Sequence, residues 1–254
     1  MLQIHQFPCL EDNYGFLIHD PSSGATATID TPDAEEILRQ AAAKGWKLTD
    51  IWNTHWHPDH AGGNAAIKAQ TGAMVTGPAE VERIGLAPDR IVTEGDVVKL
   101  GALSARVLDV GGHTLGHIAY VFDADNAAFV GDSIFALGCG RIFEGTAEQM
   151  WTSLSKIAAL PADTTLYCAH EYTQSNARFA LSVDGENAAL QARAAEIAKL
   201  RAENRPTVPM TLRQEQATNP FLRAPALKAA IGMPHAADWE AFAEVRKRKD
   251  NFKG

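Results

Sequence analysis

The stretch Thr54–Asn64, THWHPDHAGGN, follows an apolar run and contains a pair of glycines. Three histidines and one aspartate lie within six residues, in a chain that has nine histidines in all. Residues two apart on an extended chain point to the same side, so His55 and His57 are expected to face one point. Asp59 and His60 follow where the chain turns and are expected to face a second point. Because imidazole and carboxylate are common ligands of Zn, Fe and Mn, the stretch predicts a metal site, against the alternative of chance crowding on a polar loop.

Three further candidate ligands each follow a predicted strand. His113 comes after LDVGG, Asp132 after AAFVG and His170 after TTLYCA. Sites of α/β proteins lie at the carboxyl ends of strands, so these positions suit ligands brought in from distant parts of the chain. Together with the first four residues they make a set of seven, which is enough for two metal ions with three ligands each and one shared carboxylate.

Other polar residues near these positions allow different interpretations. His117 begins an apolar run, HIAYVF, so a packed and hydrogen-bonded histidine is favoured over a ligand. Asp30 ends the run ATATID, where it could orient a ligand histidine or cap the turn that follows. Neither a Ser-His-Asp nor a Cys-His arrangement accompanies the set, and Cys168 is interpreted as a thiol in the core of a strand.

Composition excludes several classes of function. The chain has 254 residues, 46% of them hydrophobic and 21% charged, as in an ordinary globular protein. No apolar run approaches the roughly 18 residues of a membrane span, and the first residues do not resemble a secretion signal. The net charge of −8 disfavours nucleic acid, and the three cysteines have no metal or disulfide spacing. We therefore expect a cytoplasmic protein with no nucleic-acid or membrane partner, and we expect it to be a monomer.

The pattern of apolar residues predicts two domains. In the first two-thirds, strands are predicted over 25–30, 49–54, 103–110, 117–122, 127–131 and 164–168, and helices over 33–44, 64–71 and 146–160. Strand signals stop after residue 170, and the longest helices beyond it are predicted over 186–204 and 237–250. The prediction is an α/β domain over 1–170 and a smaller, all-helical domain over 171–254.

The sequence Val245–Asp250, VRKRKD, gathers four cations near the end of an acidic chain. Cations are favourable at the C-terminal end of a helix, where they complement its dipole. The same cluster could instead bind an anionic ligand. The residues of the tail alone leave both interpretations open.

The ligand motif resembles that of the metallo-β-lactamase superfamily. Within it, three stretches are similar to the glyoxalase II (hydroxyacylglutathione hydrolase) family: GCGRIFEGTAEQM (138–150), CAHEYTQSNARFA (168–180) and VRKRKDNFK (245–253). The resemblance implies an αββα sandwich and two divalent metal ions per chain, zinc first, with iron or manganese as alternatives. It assigns one ion to His55, His57 and His113 and the other to Asp59, His60 and His170, with Asp132 bridging the two.

The resemblance also implies an activity. It is the hydrolysis of S-D-lactoylglutathione and related S-2-hydroxyacylglutathiones to a 2-hydroxy acid and glutathione, the second step of methylglyoxal detoxification. The attacking group is a hydroxide between the two metals, with Asp59 and Asp132 as catalytic carboxylates. Substrate contacts are implied for six residues: Arg141, Phe143, His170, Tyr172, Arg246 and Lys249.

Two of these positions depart from the family pattern. Arg141 stands where many members have lysine, and it keeps the positive charge. Phe143 stands where many have tyrosine, so the hydroxyl donor is lost there. A glutathione thioester is a net anion, and cations gathered at the site would attract it to a protein of net charge −8. With the resemblance, a binding role for the basic tail is therefore favoured.

Two other functions remain as alternatives. A persulfide dioxygenase on the same scaffold would use a single iron, and oxygen uptake would identify it. A metal-binding protein without catalysis would bind metal and show no turnover.

Overall fold

The computed structural model describes residues 1–254 and divides into two compact units. The first unit comprises Met1–Asp109 with Gly116–Gly131, and the second comprises Val110–Leu115 with Asp132–Gly254. The domain boundary proposed between residues 170 and 171 stays a prediction. None of the helices combines the length and the apolar character needed to cross a membrane.

The first unit contains a six-stranded sheet whose strands lie in the order of the sequence. They are β1 (Gln3–Cys9), β2 (Asn13–His19), β3 (Thr26–Ile29), β4 (Leu48–Trp52), β5 (Met74–Gly77) and β6 (Arg90–Ile91). β1, β2 and β3 pair antiparallel, and β3 to β6 pair parallel. Parallel strands end at one edge of the sheet. The residues that follow β3 and β4 are therefore neighbours: the Asp30 amide donates to the Trp52 carbonyl over 2.9 Å.

Helices α1 (Ala34–Lys44), α2 (Pro58–Ala61) and α3 (Asn64–Thr71) lie between these strands in the chain. The Asp33 side chain caps α1 by accepting from the Glu36 amide, and Gly45 ends it in the left-handed conformation, with φ 68°. The inner faces of α1 and α3 share a buried apolar cluster with the sheet through Ile37, Ile67 and neighbouring aliphatic side chains. Each such side chain contributes about 1.5–3 kcal/mol on burial.

A second layer of strands faces the first sheet inside the same unit. It consists of the antiparallel strands β7 (Val97–Leu100), β8 (Leu103–Asp109), β9 (Ile118–Phe122) and β10 (Ala127–Gly131). The ring of Trp52 lies 5.2 Å from that of Tyr120, and the rings of Phe16 and Phe129 lie 5.5 Å apart, centroid to centroid. The two layers therefore form a sandwich with an aromatic core.

The second unit is mainly helical. Its strands are β11 (Ile134–Phe135), β12 (Gly138–Cys139), β13 (Thr165–Cys168) and β14 (Met210–Thr211). Its helices are α4 (Ala147–Ala158), α5 (Thr173–Val183), α6 (Ala188–Ala202), α7 (Leu212–Thr218), α8 (Ala224–Leu227) and α9 (Asp238–Asp250). α5 packs against α6, while α9 packs against α4 and α8. β11 and β12 form a short hairpin.

All the elements predicted from the sequence are present, and their ends agree to within two residues. In the first unit the sequence did not predict β1, β2, β5, β6 or β7. β1 contains Pro8 and β2 contains Gly15 in its interior, and both residue types weaken a strand pattern. Beyond residue 170 the chain is helical apart from β14, whose two residues are too short to leave a pattern in the sequence.

Candidate functional site

The first cluster of predicted ligands lies in the loop that follows β4. His55 and His60 are buried, His57 is half-buried, and the Asp59 side chain is 40% exposed. His55 Nε2 lies 3.1 Å from His57 Nδ1, and His60 Nε2 lies 3.5 Å from the Asp59 carboxylate. The loop thus presents two adjacent pairs of donor atoms, each pair close enough to bind one ion.

The carboxylate of Asp30 orients this loop. Its Oδ2 lies 2.9 Å from His60 Nδ1, and its Oδ1 accepts from the Thr54 amide over 2.7 Å. A carboxylate on one ring nitrogen holds the proton there and leaves the other nitrogen with a lone pair for a metal. Asp30 has a φ of 58°, which is uncommon for a residue other than glycine and is found where a site demands it. Of the two interpretations of Asp30, the contacts support the orienting one.

Two further contacts hold the same loop. Asn13 Nδ2 donates to Asp59 Oδ2 over 3.1 Å, and Thr54 Oγ1 lies 3.0 Å from His55 Nδ1. Sequence analysis identified neither Asn13 nor Thr54 as part of the site. Asn13 is the first residue of β2 and lies 46 residues from its partner, so nothing in its local sequence marks the contact.

The remaining histidines of this unit lie against other rings. His117 is fully buried with its ring stacked on His55 at 4.5 Å, as expected for a packed histidine. His5 and His19 lie against Trp46, at centroid distances of 6.5 Å and 4.5 Å.

The second cluster belongs to the second unit and consists of His113, Asp132 and His170, all buried. One oxygen of Asp132 lies 3.5 Å from His113 Nε2 and the other lies 3.4 Å from His170 Nε2. Asp132 thus faces one histidine with each of its carboxylate oxygens. His113 Nδ1 lies 2.8 Å from the Arg141 carbonyl, which fixes the proton on Nδ1 and turns Nε2 toward Asp132.

The donor set fits divalent metal ions. The chain contains groups of histidine and aspartate side chains that could hold a metal ion. Their donors are imidazole nitrogens and carboxylate oxygens, which suit Zn, Fe or Mn. His60 and His113 each have one ring nitrogen tied to an oxygen of the protein, as ligand histidines commonly do.

A cavity of about 430 Å³ opens beside the second cluster. This volume lies within the usual range of small-molecule sites. Five of the six residues predicted to contact substrate line it, together with two predicted metal ligands: Arg141, Phe143, Tyr172, Arg246, Lys249, His113 and Asp132. The sixth, His170, lies behind Tyr172, with the two rings stacked at 4.7 Å.

The cations of the cavity differ in their exposure and in their contacts within the protein. The Arg141 side chain is 68% exposed and lies 4.0 Å from Asp250. Arg246 is buried and donates to the Cys139 carbonyl over 3.0 Å and to Asp250 over 2.8 Å. Lys249 Nζ lies 3.2 Å from Ser175 Oγ. Burial, followed by repulsion from nearby arginines, lowers the pKa of Lys249 to about 8.

The cysteines are not candidate nucleophiles. Cys9, Cys139 and Cys168 are free and buried. Burial raises the pKa of Cys139 to about 11 and raises that of Cys168 as well. A thiol with such a pKa carries little thiolate near neutral pH, which confirms the interpretation of Cys168 as a core thiol.

The fold and the site define a member of the metallo-β-lactamase superfamily. Residues 17–170 match the family described as the metallo-beta-lactamase superfamily, and residues 171–252 match the one described as the hydroxyacylglutathione hydrolase C-terminus. The chain is 60% identical to the hydroxyacylglutathione hydrolase of Erythrobacter litoralis over 99% of its own length and 100% of the relative's. It is 58% identical to that of Maricaulis maris over 99% of both chains. The chain belongs to the hydroxyacylglutathione hydrolase family within that superfamily.

Solved structures agree with this fold. ETHE1 from Myxococcus xanthus superposes with a TM-score of 0.69 at 24% identity, over 99% of this chain and 92% of its own. A metallo-beta-lactamase from Staphylococcus aureus superposes with a TM-score of 0.66 at 21% identity, over 98% of this chain and 71% of its own. The family and the fold class expected from the sequence, the αββα sandwich with a helical C-terminal region, are confirmed.

Proposed function

We propose that this chain hydrolyses S-D-lactoylglutathione, and related S-2-hydroxyacylglutathiones, to the 2-hydroxy acid and glutathione. The observation that carries the proposal is the end-to-end similarity to hydroxyacylglutathione hydrolases at 51–60% identity, including the C-terminal region. The position of a cation-lined cavity against His113 and Asp132 is what hydrolysis of an anionic thioester requires. The activity belongs to the second step of methylglyoxal detoxification.

The two ligand clusters together are proposed to hold two divalent metal ions. His55, His57 and His113 would hold one ion and Asp59, His60 and His170 the other, with Asp132 shared. When bound, divalent ions lower the pKa of a coordinated water from 15.7 to about 7 and polarise a carbonyl oxygen. Zinc is the first candidate, and iron or manganese are the alternatives, since a structural neighbour of the same fold is described as a di-iron-bound form.

The residues around the ions have separate tasks in this proposal. Asp59 and Asp132 hold and orient the attacking water. The rings of His60 and His113 keep their directions through Asp30 and the Arg141 carbonyl. The thiol of glutathione has a pKa near 8.5, so it leaves readily and needs no acid from the protein.

Recognition of glutathione is proposed to rest on the cavity of the second unit. The cations Arg141, Arg246 and Lys249 would attract the two carboxylates of the thioester. Tyr172 and Phe143 would contact its apolar parts. Phe143 is 62% exposed and brings no hydroxyl, so this chain recognises glutathione with one hydrogen bond fewer than members that have tyrosine there.

The proposal also covers the domain organisation and the cellular location of the protein. The family matches over residues 17–170 and 171–252 support a catalytic domain over 1–170 and a glutathione-binding domain over 171–254. The three free, buried cysteines support a reducing compartment, and we propose a cytoplasmic monomer.

The test is hydrolysis of S-D-lactoylglutathione by the purified protein, with the metal content of the same sample measured by mass spectrometry. Loss of thioester absorbance and close to two metal ions per chain are expected. Bound metal without turnover would favour a metal-binding protein, and oxygen uptake with one iron would favour a dioxygenase.

A further inference from the structure

The hairpin of β11 and β12 forms part of the cavity wall. In the chain, Asp132 precedes β11 and Arg141 follows β12. Phe135 and Cys139, one on each strand, line the cavity. The hairpin has only two residues per strand, so its own backbone pairing is too short to fix its shape.

Side chains from the end of α7 hold the turn of this hairpin. Asn219 Nδ2 donates to the Phe135 carbonyl over 3.1 Å and to the Gly138 carbonyl over 2.9 Å. Glu215 Oε2 accepts from the Leu137 amide over 2.9 Å. Three backbone groups of the turn are therefore bonded to two buried side chains that lie outside the cavity.

A third side chain completes the arrangement from α5. Asn176 Nδ2 donates to the Ala136 carbonyl over 3.1 Å. It approaches Gly138 so closely that a Cβ at that glycine would lie 2.3 Å from the amide nitrogen, so a larger residue there would displace the Asn176 amide. We call Asn176, Glu215 and Asn219 the hairpin clamp.

The turn of the hairpin has an uncommon backbone conformation at Leu137. Leu137 has a φ of 56°, which is uncommon for a leucine. Its side chain is fully buried in an apolar cluster with α5 and α6, including Ala180 and Leu190. A residue persists in such a conformation only where its surroundings fix it, and here both the apolar cluster and the clamp do so.

Glu215 is fully buried, and its charge is balanced by Arg193 of α6. The guanidinium of Arg193 contacts Glu215 Oε1 and donates to Thr218 Oγ1 over 2.7 Å. Glu215 Oε2 then faces the Leu137 amide and Asn219 Nδ2. A buried ion pair adds little net stability compared with apolar side chains of the same size. We therefore infer that the Arg193–Glu215 pair serves to fix the direction of Glu215 Oε2.

We propose that Glu215 and Asn219 are positioning residues for the glutathione part of the substrate. Neither lines the cavity, but both fix the hairpin that carries Phe135 and leads into Arg141. The inference rests on the proposed function, because it assigns these residues to the same cavity. Loosening the clamp lowers the affinity for glutathione and leaves the ligand clusters intact.

The test compares Asn219→Ala, Asn219→Ser and Glu215→Gln with Gln216→Ala in the holoenzyme. Gln216 lies on the same helix and also donates to a backbone carbonyl, that of Ala158, but not to the hairpin. In Asn219→Ala we expect the KM for S-D-lactoylglutathione and the inhibition constant of glutathione to rise about tenfold, with kcat within about twofold of wild type. Asn219→Ser keeps one donor and is expected to be intermediate, Glu215→Gln to raise KM, and Gln216→Ala to match wild type. Metal content is expected to be unchanged throughout.

A role in stability alone would give a different result. It would lower the melting temperature and the fraction of active enzyme, so that kcat falls while KM and the inhibition constant stay at wild-type values. That result in the folded variants overturns the positioning role. If Asn219→Ala does not fold, the kinetic constants of Asn219→Ser and Glu215→Gln decide between the two roles. An absence of turnover in the wild type would instead contradict the proposed function.

Discussion

The histidines of the ligand loop and the aromatic side chains of the cavity that is proposed to bind glutathione differ in exposure. His55 and His60 are 0% and 1% exposed, and their neighbours Thr54 and Asp30 fix their rings. In the cavity, by contrast, Phe143 is 62% exposed and Tyr172 is 38% exposed. Catalytic groups gain from being fixed in advance, whereas groups that recognise a flexible tripeptide can adapt to it.

Under the proposed function, changes in the two regions are expected to affect different kinetic constants. Changes in the ligand clusters remove interactions with the reacting carbonyl and are expected to lower kcat. Changes in the cavity remove interactions with the distant glutathione part and are expected to raise KM. Variants from each region therefore test whether the separation holds.

The largest effect is expected from removal of the metal or of the shared ligand. A strong chelator is expected to abolish hydrolysis, and Asp132→Ala to lower kcat by on the order of 10³-fold or more, since several kcal/mol of stabilisation are lost. The measurement is thioester absorbance together with metal content. Recovery on adding Zn²⁺ to the chelated wild type is the control, and full activity in a metal-free sample would contradict the mechanism.

The next effect concerns the support of the ligand loop. Asp30→Asn is expected to lower metal affinity or kcat by roughly 10–100-fold, because the amide cannot hold the proton on His60 Nδ1 as the carboxylate does. Metal affinity is measured by competition with a chromophoric chelator. Asp33→Asn is the matched control, since asparagine still caps α1. Equal metal affinity and kcat in both variants would show that Asp30 does not act through His60.

The sequence indicates the candidate ligands more directly than the residues that support them. His55, His57, Asp59 and His60 lie in one short segment, so the geometry of a single loop relates them. Asn13 contacts Asp59 across 46 residues, a relation that only the folded chain creates. Asp30 lies between these cases: its place at a strand end indicated two roles, and the contact with His60 decided between them.

The same limit applies to the fold and the cavity. Strands that are continuous apolar runs, such as β9 and β10, were predictable, whereas β2, which has Gly15 in its interior, was not. The charge of the tail was visible in the sequence. Both Arg246 and Lys249 line the cavity, but the bond from Arg246 to the Cys139 carbonyl and that from Lys249 to Ser175 depend on how α9 packs.

A smaller effect is expected in the cavity. Lys249→Ala is expected to raise KM about tenfold with a lesser change in kcat, because one charge-assisted contact with the substrate is lost. Arg246→Ala is expected to raise KM as well, partly by releasing the Cys139 carbonyl. Lys247→Ala is the control, since Lys247 is an exposed cation of the same helix that does not line the cavity. Unchanged KM in both Arg246→Ala and Lys249→Ala would leave the tail as a solvated helix end.

The smallest effect is expected in the dependence of KM on pH. Burial first, and then Arg246, Arg178 and Arg141, lower the pKa of Lys249 to about 8, while Asp250 opposes the shift. The ammonium form is therefore present below pH 8 and is lost as the pH rises above it. If only that form binds the anionic substrate, KM at pH 8.5 is about fourfold its value at low pH, because about a quarter of the molecules carry the charge. Lys249→Arg keeps its charge over this range and is expected to give a flat KM profile, which separates the lysine from any titration of the substrate. A wild-type profile that follows the arginine variant would mean that Lys249 does not hold the substrate through its charge.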